Sequence, residues 1–341
     1  MQNKLFIISN ESIYYDKENF FCDNLDMKST PEGLNKFFEV NIIARKSKKK
    51  RSHVINLKNI STHNNIFGFI SSIFDSFKKK NSKYFVVSLS PFTFLACVLL
   101  VIFRKNPIVF LRSDGYEEYK SILGFLGPAI YHVMFFCTSK ISRFISCGEK
   151  NLKGKKGEVV YPSQLTDKWF LDIKDPELTK IKLLYVGRIK IEKGVFSLVE
   201  IMRNIGNKAT LSAVGVEKNS GKKIDTENVK FFPIEIVEER LIKFYDDHNI
   251  FVLPSFTEGH PQVILEALAR RRPVIVFDDI KHVIGDKKGI FVSKRNFINF
   301  FATLNGIKKN YKKIQKELRK NKLPVYKEFI ENLGRNILSF D

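Results

Sequence analysis

The sequence predicts an α/β protein of two domains, each a parallel sheet covered by helices on both faces. Three observations predict it. Short β-rich apolar runs alternate with helix-like stretches along the chain, the pattern that parallel strands with crossover helices leave in a sequence. At 341 residues the chain is longer than one hydrophobic core usually grows, so two domains are expected. Its 44% hydrophobic and 28% charged residues are the composition of a chain that folds.

Taken in order, Leu5–Ser9 reads as the first strand. The apolar run of MQNKLFIISN meets Asn10 and Glu11 too soon to be a secretory signal. Val40–Ala44 and Tyr84–Leu89 read as strands, Pro91–Phe103 as a helix opened by a proline, and Ile108–Leu111 as a strand. The second half repeats the style, with strands at Lys182–Val186, Thr210–Val214, Val229–Phe232, Ile250–Leu253 and Val274–Phe277. Between them lie helices at Val195–Arg203, Glu238–Asp246 and Pro261–Arg270. Ligands of such sheets sit at the carboxyl ends of the strands.

Two segments are apolar enough to suggest a membrane. Tyr84–Phe103 has the length of a span, yet Ser88, Ser90, Pro91 and Thr93 fall where a strand would turn into a helix. A buried strand–turn–helix is the expectation there. Ile122–Thr138 carries Gly124, Gly127 and Pro128 and is broken too early for a clean span. It reads as a core helix or as one lying in a membrane interface.

The formal net charge is +22, with basic runs at Lys48 to Arg51, Lys78 to Lys80, Lys153 with Lys155 and Lys156, and Lys308 to Lys313. Such a surface attracts nucleic acid, anionic lipid or phosphorylated small molecules; a chain simply rich in Lys, Asn, Ile and Phe would show the same excess. Cys22, Cys97, Cys137 and Cys147 are widely spaced and form no metal-ligand pattern. This excludes a disulfide framework or a structural zinc site and fits a reducing compartment.

The chemistry-bearing residues fall in two segments. In Phe251–Val276, a strand ends at Pro254-Ser255 and a helix starts near Pro261, with Glu258 and Glu266 eight positions apart. The open amides of a helix N-terminus form an anion site. A carboxylate in that loop can accept sugar hydroxyls, and one farther along can accept ribose hydroxyls. Each glutamate alone also reads as a helix-end charge or an ordinary surface residue. In Leu183–Val195, a strand runs into Gly187-Arg188, then Lys193-Gly194 precedes a helix. Glycine lets backbone approach a ligand, and two cations there could hold a diphosphate. Alone, this segment reads equally as a solvated loop.

In order and spacing, Gly187-Arg188, Lys193-Gly194, Pro254-Ser255, Glu258-Gly259, Pro261 and Glu266-Ala267 resemble the retaining GT-B glycosyltransferases of family 4. The resemblance is strong over about 180–292 and architectural before that. It implies a GT-B architecture: two Rossmann-like domains facing a central cleft. The acceptor domain would be 1–165, the nucleotide-sugar domain 166–325, and a helix in 326–341 would return to the first. It implies that Arg188 and Lys193 hold the donor diphosphate, that Glu258 meets the sugar and Glu266 the ribose. Glu258, Arg188 and Lys193 become the catalytic set. Gly187, Gly259, His260 and Pro261 complete the donor site, and Phe232-Pro233 stand at the nucleobase.

The chain departs from the family in several places. Arg270-Arg271-Arg272 replaces a glycine before Pro273, and Asp278-Asp279-Ile280-Lys281 replaces a glycine-rich stretch. Ser9-Asn10-Glu11 stands where relatives carry two glycines, with Gly33 the only nearby glycine, and Arg112-Ser113-Asp114-Gly115 where they often show His-Gly. Acceptor contacts would then fall on Asn10, Arg112 and Asp114, unless Arg112 and Asp114 pair with each other.

The implied reaction moves a sugar from a nucleotide-sugar to a glycan or lipid-linked acceptor with retention of configuration, in cell-envelope polysaccharide biosynthesis. Arg188, Lys193 and the helix N-terminus would stabilise the leaving diphosphate. The sequence has no Asp-x-Asp motif, so neither metal nor other cofactor is expected. The expected location is cytoplasmic, peripheral on the anionic inner face of the plasma membrane. A non-catalytic or phosphorylase-like protein of the same architecture is the alternative. A nucleic-acid-binding protein fits less well, because no recognised binding signature is present.

Overall fold

The computed structural model describes residues 3–216 and 226–340. The apolar runs become two separate sheets in two compact units, Met1–Gln164 with Tyr326–Asp341, and Leu165–Val325.

The first unit runs β1 (Lys4–Tyr15), β2 (Phe20–Cys22), α1 (Leu25–Leu34), β3 (Glu39–Lys46), β4 (His53–Ile55), β5 (Ile60–His63), α2 (Ile66–Phe77), β6 (Ser82–Val87) and α3 (Pro91–Ile102). It continues with β7 (Pro107–Leu111), α4 (Gly115–Leu123), α5 (Gly127–Ile141), β8 (Arg143–Ser146), α6 (Glu149–Leu152) and β9 (Glu158–Val159). Strands β5, β3, β1, β6, β7, β8 and β9 lie side by side and parallel. β1 overshoots this sheet at its carboxyl end, where Tyr14 and Tyr15 pair antiparallel with β2, which in turn pairs with β4. Both faces are covered, so β1 is apolar without alternation. Leu5 and Ile7 join a core that includes Met27, Leu34 and Leu333, while Phe6 and Ile8 join one that includes Phe69, Leu100 and Phe135.

The second unit runs β10 (Ile181–Val186), α7 (Val195–Ile205), β11 (Ala209–Val216), β12 (Val229–Pro233), α8 (Glu238–Asp247), β13 (Ile250–Leu253) and α9 (Gln262–Ala269). Then come β14 (Val274–Phe277), β15 (Ile290–Ser293), α10 (Phe297–Lys309) and α11 (Tyr311–Leu318). Its sheet is all parallel in the order β12-β11-β10-β13-β14-β15. On α7, Leu198, Met202 and Ile205 bury one stripe at helical spacing. Each such side chain contributes about 2 kcal/mol by leaving water.

The last helix, α12 (Tyr326–Ser339), belongs to the first unit. It fits against α1 because Gly33 has no side chain; a Cβ there would come within 2.6 Å of the Tyr326 hydroxyl and 2.8 Å of Ile330.

Tyr84–Phe103 is the strand–turn–helix expected from its polar residues. Ser90 caps α3, and Thr93 returns a hydrogen bond in a capping box. Ile122–Thr138 departs from the core-helix reading, because Ile122, Phe125, Ile130, Val133 and Phe136 are exposed. The basic runs also divide. Lys48 to Arg51 follows β3 at the carboxyl end of the first sheet, whereas Lys78 to Lys80 precedes β6 at the amino end.

The turn that lacks the family's glycine is built on arginine. Arg271 takes the left-handed conformation itself, at φ +58°. Its neighbours Arg270 and Arg272 are 1% exposed. Arg270 donates to both oxygens of Asp246 and to the carbonyls of Trp169, Leu171 and Asp172. Arg272 donates to the carbonyls of Tyr245, Asp246, His248 and Lys174. Burial lowers its pKa to about 10, so it remains a buried cation met by oxygens.

Candidate functional site

At the carboxyl end of the second sheet two loops meet, and glycines let them meet. Gly187, at φ +154°, donates its N–H to the carbonyl of Val214 at 2.9 Å. A Cβ there would lie 2.8 Å from the Tyr185 hydroxyl, which donates to the Arg188 carbonyl at 2.8 Å. The Arg188 side chain is left exposed, with no ion pair among the described residues. Gly194 sits at φ +66°, and a Cβ on it would lie 1.8 Å from the Pro254 carbonyl oxygen. Only glycine allows the loop after β10 to touch the loop after β13, backbone to backbone.

That contact brings the two sequence motifs into one cluster. Lys193 Nζ donates to Glu258 Oε1 at 2.7 Å, and the Ser255 hydroxyl donates to the same oxygen at 2.6 Å. The side chains of Lys193 and Glu258 are 21% and 12% exposed, so water screens the pair little. Glu258 Oε2 has no protein donor among the described residues and is open to a ligand hydroxyl. Gly259 and His260 make the turn to Pro261, which precedes α9 rather than opening it and, as proline, offers that helix no side-chain cap.

Glu266 is not the ordinary surface glutamate that was one reading of it. It is 8% exposed, and the Tyr245 hydroxyl donates to its Oε2 at 2.7 Å. Burial raises its pKa to about 7, against the lowering hydrogen bond from Tyr245, while Glu238 adds to the rise. Phe232 is half-buried and packs edge-on against Phe244 at 5.2 Å, with Pro233 exposed at the end of β12.

No motif pointed to Arg295, yet it braces the site. Its guanidinium lies between the rings of Phe256 and Phe277, 4.0 and 4.4 Å from their centroids. It donates to the carbonyls of Pro254 and Ser255, to the Ser197 hydroxyl, and to Asp279. The sequence signal is faint: a lone arginine just after a strand end. Asp279 belongs to the segment in place of the glycine-rich stretch, which forms a short 3₁₀ helix, Asp278–Val283. His282 of that helix bonds the Glu258 carbonyl through Nε2 at 2.8 Å.

In the first unit two of the expected acceptor residues, Arg112 and Asp114, have separate partners. Arg112 does not pair with Asp114. Its Nη2 donates to Asp26 at 2.7 Å, while Asp114 caps α4 through the Tyr116 N–H and accepts from Lys153 at 2.5 Å. The Asn10 Oδ1 is buried without a partner among the described residues.

Comparisons with known proteins bear on the sequence of the second unit and on the fold. Residues 180–309 match the family model described as Glycosyl transferases group 1. A teichuronic acid biosynthesis glycosyltransferase of Bacillus subtilis (strain 168), TuaC, is 35% identical over 95 residues, 28% of this chain and 24% of that protein. The capsular polysaccharide biosynthesis glycosyltransferase CapM of Staphylococcus aureus is 34% identical over 125 residues, 33% of each chain. The matched stretch thus spans about a quarter to a third of these curated relatives. Likeness to solved structures covers the whole fold. Anabaena HepE, in complex with UDP and glucose, aligns with TM-score 0.68 at 10% identity, over 99% of this chain and 100% of that one. Sucrose-phosphate synthase from Thermosynechococcus elongatus aligns with TM-score 0.66 at 15% identity, over 98% of both. The two sheets are those of the GT-B fold, and residues 180–309 are similar to the group 1 glycosyltransferases.

Proposed function

We propose that the chain is a glycosyltransferase that moves a sugar, with retention of configuration, from a nucleotide-sugar to a glycan or lipid-linked acceptor of cell-envelope polysaccharide. The observation that carries this is the Lys193–Glu258–Ser255 cluster at the carboxyl ends of β10 and β13. Arg188, exposed beside it, and the first amides of α9 supply further positive potential for a diphosphate. The open oxygen of Glu258 accepts a hydroxyl of the donor sugar, and Glu266 faces the ribose. Gly187, Gly259, His260 and Pro261 line the donor, with Phe232 and Pro233 toward the base.

In the reaction, an acceptor hydroxyl oxygen bonds the anomeric carbon on the face that the diphosphate oxygen leaves. The hydroxyl proton passes to that phosphate oxygen. Acceptor contacts come from Asn10, Arg112 and Asp114. No side-chain nucleophile and no divalent cation are invoked, so activity with a chelator should equal activity without it. A net charge of +22 supports peripheral work on an anionic membrane, at its cytoplasmic face.

A thermal-shift screen against UDP-, GDP- and ADP-sugars identifies the donor, because a ligand of the folded state raises the unfolding temperature. With that donor, Arg188→Ala and Lys193→Ala should each weaken nucleoside diphosphate binding by about tenfold or more. Glu258→Gln should chiefly lower kcat. Unchanged binding and turnover in all three variants would remove the assignment.

A further inference from the structure

We propose that α4 and α5 form a hairpin that enters the outer layer of an anionic lipid bilayer and presents the acceptor end of the first unit to it. This rests on the membrane reading above and gives it a structural element. Gly115–Ile141 has the length and apolarity of a membrane span, with a mean hydropathy of 1.5 in its most apolar window. It does not form one helix. At Gly124, φ +65°, the chain reverses. Tyr116 and Tyr119 of α4 pack on Tyr131 of α5, and Gly127 fits against the Tyr119 carbonyl, so the two helices run antiparallel.

The direction of the hairpin follows from the chain path. α5 ends at Ile141, just before β8 begins at the amino end of the sheet. It therefore runs opposite to the strands, and α4, antiparallel to it, runs with them. Leaving Asp114 at the carboxyl end of β7, the nine residues of α4 carry the chain about 13 Å along that direction. The turn at Leu123–Leu126 thus points past the carboxyl end, where Asn10, Arg112 and Asp114 lie.

The surface of this hairpin is not that of a core helix. Phe125 at its turn is 87% exposed, Ile122 65% and Leu126 55%. On α5, Tyr131, Met134, Phe135 and Thr138 face the protein, while Ile130, Val133 and Phe136 form a second, outward apolar stripe. A helix apolar on all sides has an apolar neighbour on all sides. Charge selects the neighbour. Exposed Lys120 stands on α4, and the ammonium groups of Lys140 and Lys155 each lie 5.5 Å from the Phe136 ring, so cations border the stripe. The exposed lysines 48–50 stand at the same end of the sheet as the turn. Glu117 and Glu118 at the base of α4, like Lys140 at the far end of α5, stand away from the turn, and Lys120 is the charge of α4 nearest to it. Apolar side chains with lysines on the same side of the unit fit acyl chains below anionic headgroups.

The test uses the whole chain. Trp169 is the only tryptophan and is buried in the second unit. Phe125→Trp therefore adds a reporter that brominated phosphatidylcholine mixed with phosphatidylglycerol should quench, with the parent chain unquenched. Ile122→Ser with Phe125→Ser should lower flotation with phosphatidylglycerol-containing vesicles by about tenfold or more. Its unfolding temperature should stay unchanged, since both side chains are exposed. No quenching, or equal flotation of parent and variant, overturns the proposal. So does a parent dimer that the double substitution turns into a monomer without lipid. Nucleoside diphosphate binding, measured without vesicles, separates the two readings: a parent chain that binds none would fault the transferase, and a parent chain that binds it but does not float would fault the hairpin.

Discussion

At the carboxyl edge of the second sheet, loops are bonded to one another; at the same edge of the first, Arg112 and Asp114 are each bonded into their own neighbourhood. Gly194 meets Pro254, Lys193 meets Glu258, and Arg295 holds Pro254, Ser255 and Asp279 at once. Arg112 by contrast answers to Asp26, and Asp114 to Lys153 and the first turn of α4. If the second sheet holds the donor, as proposed, its site gains from a rigid frame. An edge proposed to meet acceptors of varied shape needs no such frame, and loops without one are free to diverge.

The largest way to break this comparison is Gly194→Ala. The new methyl group meets a backbone oxygen in a left-handed residue, so it should cost about 3 kcal/mol or more of stability. Nucleotide affinity should fall with it, read by denaturant midpoint and calorimetry. Asp114→Asn should leave nucleotide affinity untouched; if it does not, the two edges are not independent.

Glu266→Gln should sharpen the comparison through pH. With a folded pKa of about 7 and an unfolded value near 4.5, the native state holds a proton that the unfolded chain has released. The parent thus loses stability as pH rises from about 4.5 to about 7, by on the order of 3 kcal/mol. The variant should lack that slope and be the more stable protein at pH 8, while binding donor more weakly. Parallel stability–pH curves would show that Glu266 does not titrate on unfolding. The smallest effect belongs to Arg271→Gly, which relieves a left-handed arginine and removes only a surface ion pair with Asp175. It should stabilise by about 0.5 kcal/mol; a loss of stability would mean that Asp175 contributes more than its exposure suggests.

What the sequence made legible differs between the units for the same reason. Buried parallel strands such as IFVL and VIVF, fully covered on both faces, announce themselves as apolar runs. The Lys193–Ser255–Glu258 cluster was legible because two short motifs, each local in the chain, carry it. Three-residue strands β2 and β4 are too short for any period to register, and α1, with Pro31 inside it, has no clear apolar stripe. Arg295 was invisible because its role depends on loops 40 residues away closing around it. Ile122–Thr138 was ambiguous because apolarity on every side looks the same whether protein or lipid covers it.

The buried arginines decide where the second unit begins. The family signature starts at residue 180, yet Arg270 and Arg272 take their acceptors from carbonyls of residues 169–174 as well as from Asp246. A fragment cut at the signature would keep two guanidinium groups in the interior and lose four of the oxygens that receive them. Water would have to enter the core to replace those oxygens. The portion that evolves as a recognisable motif is therefore smaller than the portion that folds, and a separately expressed second unit must start at about Leu165.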